Sequence, residues 1–514
     1  VRVCTERVVD RSQLEEVLRP RDAFVREAPD PEEPNAFDAL DGPVRSYRRA
    51  VEVEPLPDGT ARVRQVTTCT LAAPLFWWFF WPLVRGECKR LTPRQGQPWW
   101  APPQRLDARA AMSLDALAGA ALVVGYLGTV LTQTFTFAAA EFGTDRRMQG
   151  VSLAVVRADV ILSLVLVAMA DRRGRRRLLL MASAVGTILT ATGAAAPSVG
   201  GLVGSQLLAR GFVTAAAVLI GIVAVEEMPA GSRAYAVSLL TMAGALGAGA
   251  CVIALPLADW SRRSWRLLYV LPLVGLLVLR SVSRHLPESR RFRAPHKDVG
   301  LVGHGRRLWL LAASTFLLAL FTVPASQFQN EFLRDERGFS AARITLFTIL
   351  TATPASIGIV VGGRWADVHG RRRVGALGVL GGVGFTVLMF ASRGWPLWGW
   401  SVVASIIGGA TVPALGVYGP ELFPTSLRGK ANGLIFALGR IGSVVGLVAV
   451  GVLSKRIGTL PPAFALMAFG PAALVVLILV GYPETAGREL EELNPEDAAD
   501  AAPPDPGIST RPSG

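Results

Sequence analysis

The sequence predicts an all-α membrane protein of twelve transmembrane helices, built as two six-helix pseudo-repeats and preceded by a small polar N-terminal extension. Three observations carry this prediction. Of 514 residues, 51% are hydrophobic and only 18% charged, against about 25% charged in soluble domains. From about residue 111 onward the apolar residues fall into runs of roughly 18 to 25, the length a helix needs to cross hydrocarbon. Charged and proline landmarks in the first half then recur in the second at one nearly constant offset.

Residues 1–66 are polar and of mixed charge. Within them Tyr47–Val53 and Ala61–Thr70 flank Pro57-Asp58-Gly59, a turn sequence that predicts a β-hairpin. Residues 67–110 contain the run Leu71-Ala-Ala-Pro-Leu-Phe-Trp-Trp-Phe-Phe-Trp-Pro-Leu-Val84. It is short for a span and has two prolines. Because tryptophan favours the membrane–water boundary, it reads as an interfacial anchor, with a true span as the alternative. Membrane helices follow at 112–139, 150–170, 178–198, 201–225, 235–258 and 266–284, forming a first bundle over 111–284. A basic loop, 285–307, precedes a second bundle over 308–482, with helices at 308–326, 344–363, 374–392, 396–419, 430–453 and 460–482. The tail 483–514 turns acidic and rich in Ala and Pro after Glu492, a composition that predicts disorder there.

The formal net charge of +14 does not indicate nucleic acid. Arginines come in short bursts between apolar runs, as in Asp171-Arg-Arg-Gly-Arg-Arg-Arg177 and Gly370-Arg-Arg-Arg373, which is how loops on the cytoplasmic side are marked. That bias places the bursts and both termini in the cytoplasm of a multi-pass plasma-membrane protein. Cys4, Cys69, Cys88 and Cys251 form no CxxC, and His285, His296, His304 and His369 all fall in predicted loops. Neither a metal nor a cofactor is expected. Gly429-Lys430-Ala431 lacks the upstream glycine and the Ser/Thr of a phosphate loop, and no convergent nucleophile or acid–base set points to an enzyme.

The repeat is specific. Ala170-Asp-Arg-Arg-Gly-Arg-Arg-Arg177 returns as Ala366-Asp-Val-His-Gly-Arg-Arg-Arg373, 196 residues on; Glu226 and Arg233 return as Glu421 and Arg428, 195 on. Pro229 matches Pro424, and Pro287-Glu-Ser289 matches Pro483-Glu-Thr485. Two halves in the same orientation form the parallel repeat of one transporter class, with a central site between rocking halves. The acids Asp171, Glu226, Glu288, Asp367, Glu421 and Glu484 sit at helix ends beside Arg175, Arg233, Arg371 and Arg428, and Gly174 and Gly370 lead the arginine bursts. Arginine forks on carboxylates can latch one conformation. Taken as half-exposed pairs, each would contribute about 0.2–1 kcal/mol to a cytoplasmic gate.

Charges also lie at depth, where they are costly and default to function. Arg157 and Asp159 fall about 12–15 Å from the outer end of the second helix at 1.5 Å per residue. Arg210 is central in the fourth helix and Arg440 in the eleventh. Three arginines against one aspartate predict a cationic cavity and an organic anion as substrate, with Asp159 a candidate proton carrier; Gln133 and Gln327 are candidate hydrogen-bonding partners.

These residues resemble the major facilitator superfamily over roughly 110–492. The loop sequences Asp-Arg-Arg-Gly-Arg-Arg (171–176) and Gly363-x3-Asp367-x2-Gly370-Arg-Arg372 look like its signature, although the first copy has Val167 where the second has Gly363. The Glu-x6-Arg pairs, Pro287-Glu-Ser289 and Pro483-Glu-Thr-Ala-Gly-Arg-Glu-Leu-Glu-Glu492 are similar to the sugar-porter and organic-ion carrier branch. The resemblance implies a secondary carrier working by alternating access. It associates Arg210 with proton coupling and Arg440 with a cavity-facing arginine of organic-anion carriers. Gly125-Tyr126 is followed by Leu127, not an acid, and Gly416 stands where sugar porters have a tryptophan. Both departures weigh against hexose specificity. A neutral sugar-like substrate is the alternative, and a transporter-derived sensor or scaffold, with the first 110 residues as output module, a second one. The expected partners are a small-molecule substrate, the lipid bilayer and coupling protons, with no nucleic acid, and the protein is expected to be a monomer.

Overall fold

The computed structural model describes residues 2–57, 59–92, 96–143, 148, 152, 155–293, 300 and 303–497. The start of the predicted second span (150, 151, 153 and 154), most of the loop 294–302 and the tail beyond Asp497 lie outside the described residues.

The N-terminal region departs from the all-α expectation. Strands β1 (Arg2–Val9), β2 (Arg26–Pro29), β3 (Ala36–Asp41), β4 (Val44–Pro55) and β5 (Ala61–Leu71) form one antiparallel sheet in the order β1-β5-β4-β3-β2. The predicted hairpin is its centre, with Val53 opposite Val63 and Tyr47 opposite Cys69. The division drawn at 66/67 therefore falls inside β5. Helices α1 (Arg11–Val17) and α2 (Trp77–Cys88) complete the unit, α2 laying Val84, Cys88 and Trp81 on the apolar face beside Phe24, Val44 and Tyr47. Period-two burial along β5 is regular, but the inner face carries Gln65 and Thr67 as well as Val63. Beside it the fully buried Arg49 pairs with Glu27 at 2.6 Å. A sheet whose core includes a buried ion pair does not read as apolar alternation, which is why only the hairpin is legible in sequence.

Eleven of the described helical segments are long and apolar enough to cross a membrane. In the first half they are α3 (Ala108–Phe142), α5 (Arg175–Thr192), α6 (Val199–Glu227), α7 (Arg233–Ala254) and a sixth span, Ser264–His285, ending in α8 (Gly275–His285). The second predicted span is described as α4, Asp159–Arg173, whose 15 residues fall short of that length. The second half contributes α9 (Gly305–Glu331), α10 (Ala341–Ala352) with α11 (Ala355–His369), and α12 (Arg371–Ala391). After these come α13 (Trp395–Gly409) with α14 (Thr411–Gly416) and α15 (Tyr418–Glu421), α16 (Arg428–Ile457), and α17 (Leu460–Met467) with α18 (Phe469–Gly481). The break between α10 and α11 falls at Thr353-Pro354, where proline withholds a backbone donor.

Each half has its own apolar core. Within the first half, α3 and α7 cross closely through glycine: a side chain at Gly125 would strike the Gly244 carbonyl, and one at Gly247 the Leu122 carbonyl. The corresponding pair in the second half, α9 and α16, crosses the same way, Gly442 against the Phe316 carbonyl and Gly446 against that of Leu320. The halves meet at the end that carries Asp171, where Val225 and Ala234 of the first pack with Ala366, Val374, Ala414 and Val417 of the second.

Candidate functional site

Tight turns place the repeated acids. Between α4 and α5 the chain reverses at Gly174, and between α11 and α12 at Gly370, both with φ +97°, a region that disfavours side chains. A Cβ there would also lie 2.9 Å from the Glu288 carboxylate and 2.6 Å from that of Glu484. Glu288 accepts from the Arg175 and Arg176 backbone N–H at 3.0 and 2.9 Å; Glu484 accepts from those of Arg371 and Arg372 at 2.9 and 3.2 Å. These first free donors of α5 and α12 are thereby satisfied by anions at helix N-termini.

The two aspartates reach across to the opposite half. Asp171 accepts from the backbone N–H of Gly429 (2.9 Å) and Lys430 (3.0 Å) at the start of α16. Asp367 accepts from Ala234 (3.2 Å) and Tyr235 (2.9 Å) at the start of α7. The glutamates are exchanged in the same sense. Glu226 pairs with Arg175 of its own half and with Arg428 of the other. Glu421 pairs with Arg371 of its own half and, at 3.2 Å, with Arg233 of the other. Thus the Glu-x6-Arg spacing does not mark a local pair: each glutamate takes the arginine of the other repeat.

The half-exposed pairs expected from the sequence are in fact sealed. The side chains of Arg175, Arg233, Arg371, Arg428, Glu226 and Glu421 are all 0% exposed. Removing one member of such a buried set leaves an uncompensated charge, which costs about 3–5 kcal/mol rather than the fraction expected at a surface. Among the described residues every ion pair between the halves lies at this end of the molecule.

Several members were not legible in sequence. Asp497 accepts from the Thr425 N–H at 3.0 Å and lies 3.5 Å from Arg428. Glu489 lies 3.2 Å from Arg233, and Arg291 binds Glu491 at 2.9 Å and Glu489 at 3.3 Å. Burial raises the Glu491 carboxyl, but the Arg291 hydrogen bond and charge outweigh it and hold it below the ordinary glutamate range. The tail expected to be disordered after Glu492 is therefore placed through Asp497, with Asn494 fully buried and donating to the Glu421 carbonyl at 2.7 Å. Glu489 and Glu491 belonged to a recognised motif; Asp497 carried no signal beyond its charge. The linker from the sheet also reaches this end: Gln104 bonds Gly231 and Ser232, and Arg364 donates to the Ala101 carbonyl.

The second group lies at depth. Asp159 is buried (1% exposed) and accepts from the Thr214 hydroxyl at 2.8 Å through one oxygen, the other having no partner among the described residues. Arg157, Arg210 and Arg440 act electrostatically on one another, and Arg157 and Arg210 also on Asp159. Arg210 donates to the Gly128 carbonyl at 3.2 Å. Arg440 lies over the Phe436 ring at 5.2 Å, its buried Nε unpaired among the described residues. Among the described residues no arginine comes within ion-pair distance of Asp159. No hydrogen bond among the described residues ties Gln133 or Gln327 to the group; Gln133 is half-buried and Gln327 exposed.

Comparison with known proteins agrees with this architecture. The family model described as the Major Facilitator Superfamily matches residues 310–505. The chain is similar to the major facilitator superfamily over that stretch. Among its relatives, a probable 4-methylmuconolactone transporter of Cupriavidus pinatubonensis is 27% identical over 361 residues, 65% of this chain and 81% of that one. A cis,cis-muconate transport protein of Acinetobacter baylyi is 25% identical over 239 residues, 42% of this chain and 57% of the relative. The fold matches that of a major facilitator proton:xylose symporter bound to 6-bromo-6-deoxy-D-glucose. The TM-score is 0.62 at 17% identity, over 75% of this chain and 98% of the symporter. The protein is thus a multi-pass secondary transporter for a small solute, and not an enzyme.

Proposed function

We propose that this transporter moves a small organic anion across the plasma membrane by alternating access, coupled to protons, with the latch and both termini cytoplasmic. The observation that carries the reading is three arginines from both halves, Arg157, Arg210 and Arg440, close enough to act on one another, with Asp159 acting on the first two. Unpaired arginine at membrane depth is costly unless an anion or water-filled cavity receives it. A substrate carboxylate between Arg210 and Arg440 would be bound by both halves at once, as a rocking mechanism requires. Relatives named for muconate and methylmuconolactone transport support the acid class.

Asp159, one of whose oxygens has no partner among the described residues, is the proposed proton carrier. The buried pairs around Glu226 and Glu421 hold the cytoplasmic side shut, so the conformation described is the outward-facing one. Opening inward must break both glutamate sets together, and a set of bonds shared between halves can bias such an equilibrium.

Thermal unfolding of the purified protein with organic acids, sugars and cationic drugs tests this reading. An acid at 100 times its Kd stabilises the native state by about 2.7 kcal/mol, and the gain disappears in Arg440→Gln. Stabilisation by sugars alone, or by acids regardless of Arg157, Arg210 and Arg440, replaces the anion with a neutral solute.

A further inference from the structure

The aromatic run at 71–84 is neither a span nor a free surface helix. The Asp115 carboxylate, buried in α3, accepts from the backbone N–H of Leu75 and Phe76, each at 2.9 Å. Asp115 lies seven residues into α3, about 10 Å along its axis. Leu75 reaches further, to 2.7 Å from where a Cβ on Gly119 would stand, and packs on the core of the first half. The N-terminal end of α2 is thereby fixed at membrane level against the first span. From there Trp77, Trp78 and Phe79 point outward, 48%, 60% and 58% exposed, at the depth where aromatic side chains favour the lipid boundary.

Beneath this helix lies a cavity of about 300 Å³, lined by Arg45, Cys69, Thr70, Leu71, Trp77 and Trp81 among others. Arg45 is exposed, and its one side-chain hydrogen bond among the described residues runs from Nη2 to Met112 Sδ at 3.4 Å, on the second turn of α3. No carboxylate among the described residues stands within ion-pair distance. Asp115, the acid that feels its charge, already receives two backbone donors. Among the described residues a cation without an ion-pair partner, two indoles and an exposed aromatic face thus meet beside the first turns of α3.

We propose that this cavity holds the headgroup of an anionic phospholipid from the leaflet on the Asp171 side. The phosphate sits on Arg45, Trp77 and Trp81 enclose the glycerol, and the acyl chains run past Trp78 and Phe79. Arginine binds phosphate through paired donors, and indoles tolerate one wet and one apolar side. The sheet unit would then be fastened to the bilayer through lipid as well as through the chain.

Native mass spectrometry of the full chain in detergent, titrated with phosphatidylglycerol or phosphatidylcholine, tests this. Phosphatidylglycerol is expected to bind at least tenfold more tightly, with the preference lost in Arg45→Gln and weakened several-fold in Trp77→Ala. Trp77 is half exposed, so its loss spares the fold should Arg45→Gln unfold. The surface variant Arg173→Gln is expected to keep the preference. Equal binding of the two lipids, or a preference unchanged in Arg45→Gln and Trp77→Ala, overturns the proposal. So does competition by soluble glycerol phosphate at the lipid's own concentration, since the acyl chains would then add nothing.

Discussion

The two helix crossings that join the halves solve one packing problem in opposite ways. Where α11 meets α7, the glycine is on the loop-motif helix: a Cβ on Gly363 would lie 2.7 Å from Ser238 and 2.8 Å from the Ala234 carbonyl. Where α4 meets α16, the motif helix carries Val167 and the glycine stands on its partner, a Cβ on Gly429 falling 2.6 Å from both the Val167 carbonyl and the Asp171 carboxylate. Position 167 corresponds to 363, and 234 to 429. What the fold demands is a close approach that lets an aspartate reach two backbone N–H groups. Which helix supplies the missing side chain is free to change, so Val167 is a departure from the motif without being a departure from its geometry.

The sharpest way to break this equivalence is to remove a shared glutamate. Glu226→Ala and Glu421→Ala each take the shared carboxylate from two buried arginines and are expected to cost the closed conformation about 3–5 kcal/mol. Hydrogen–deuterium exchange should then rise at the starts of both α16 and α7; a rise at one start only would mean that the crossings open independently. Next come the glycines. Gly429→Ala and Gly363→Ala force backbone apart, and each should lower stability by up to about 3 kcal/mol in thermal unfolding. Val167→Gly on the Gly429→Ala background recreates the pattern of the other crossing and should restore at least about 0.5 kcal/mol. Strict additivity would show that the two positions do not compensate.

Smaller effects probe where the halves differ. Each glutamate set gains a third acid, Asp497 beside Arg428 and Glu489 beside Arg233, and both come from the C-terminal segment. Asp497→Ala removes the acceptor for Thr425 and should cost roughly 1 kcal/mol, with exchange rising at α16 and not at α7. The smallest effect is acid weakening through Glu491. Its carboxyl is held below the ordinary range, so its contribution is complete above about pH 4.5 and is lost as pH falls through the lowered value. Glu491→Gln should lack that part of the acid sensitivity in exchange measured from pH 6 to 4.

Much of this was readable from the chain. Apolar runs give the spans because hydrocarbon fixes their length, and the offset between Asp171 and Asp367 gives the two halves. The offset cannot say whether Glu226 pairs with its own Arg233 or with Arg428, since repeat equivalence is satisfied either way; only packing decides, and it chose the exchange. Burial of the pairs was hidden for a related reason. Arginine bursts at helix ends look solvated until the opposite half is placed over them. The sheet was obscured by Arg49, Glu27 and Gln65 on its inner face, and Asp497 by its place in a stretch whose composition reads as tail.

The exchange of partners has a geometric consequence. Each half offers the other the same patch: an aspartate for a helix start, and a glutamate for an arginine. Residue and counterpart are related as in the isologous contact of a two-fold dimer. Such a contact is closed by its own symmetry and needs no covalent link between the partners. The aspartate and glutamate contacts of the two crossings need no such link, while Glu288 and Arg291, from the chain between α8 and α9, add contacts of their own at the same end.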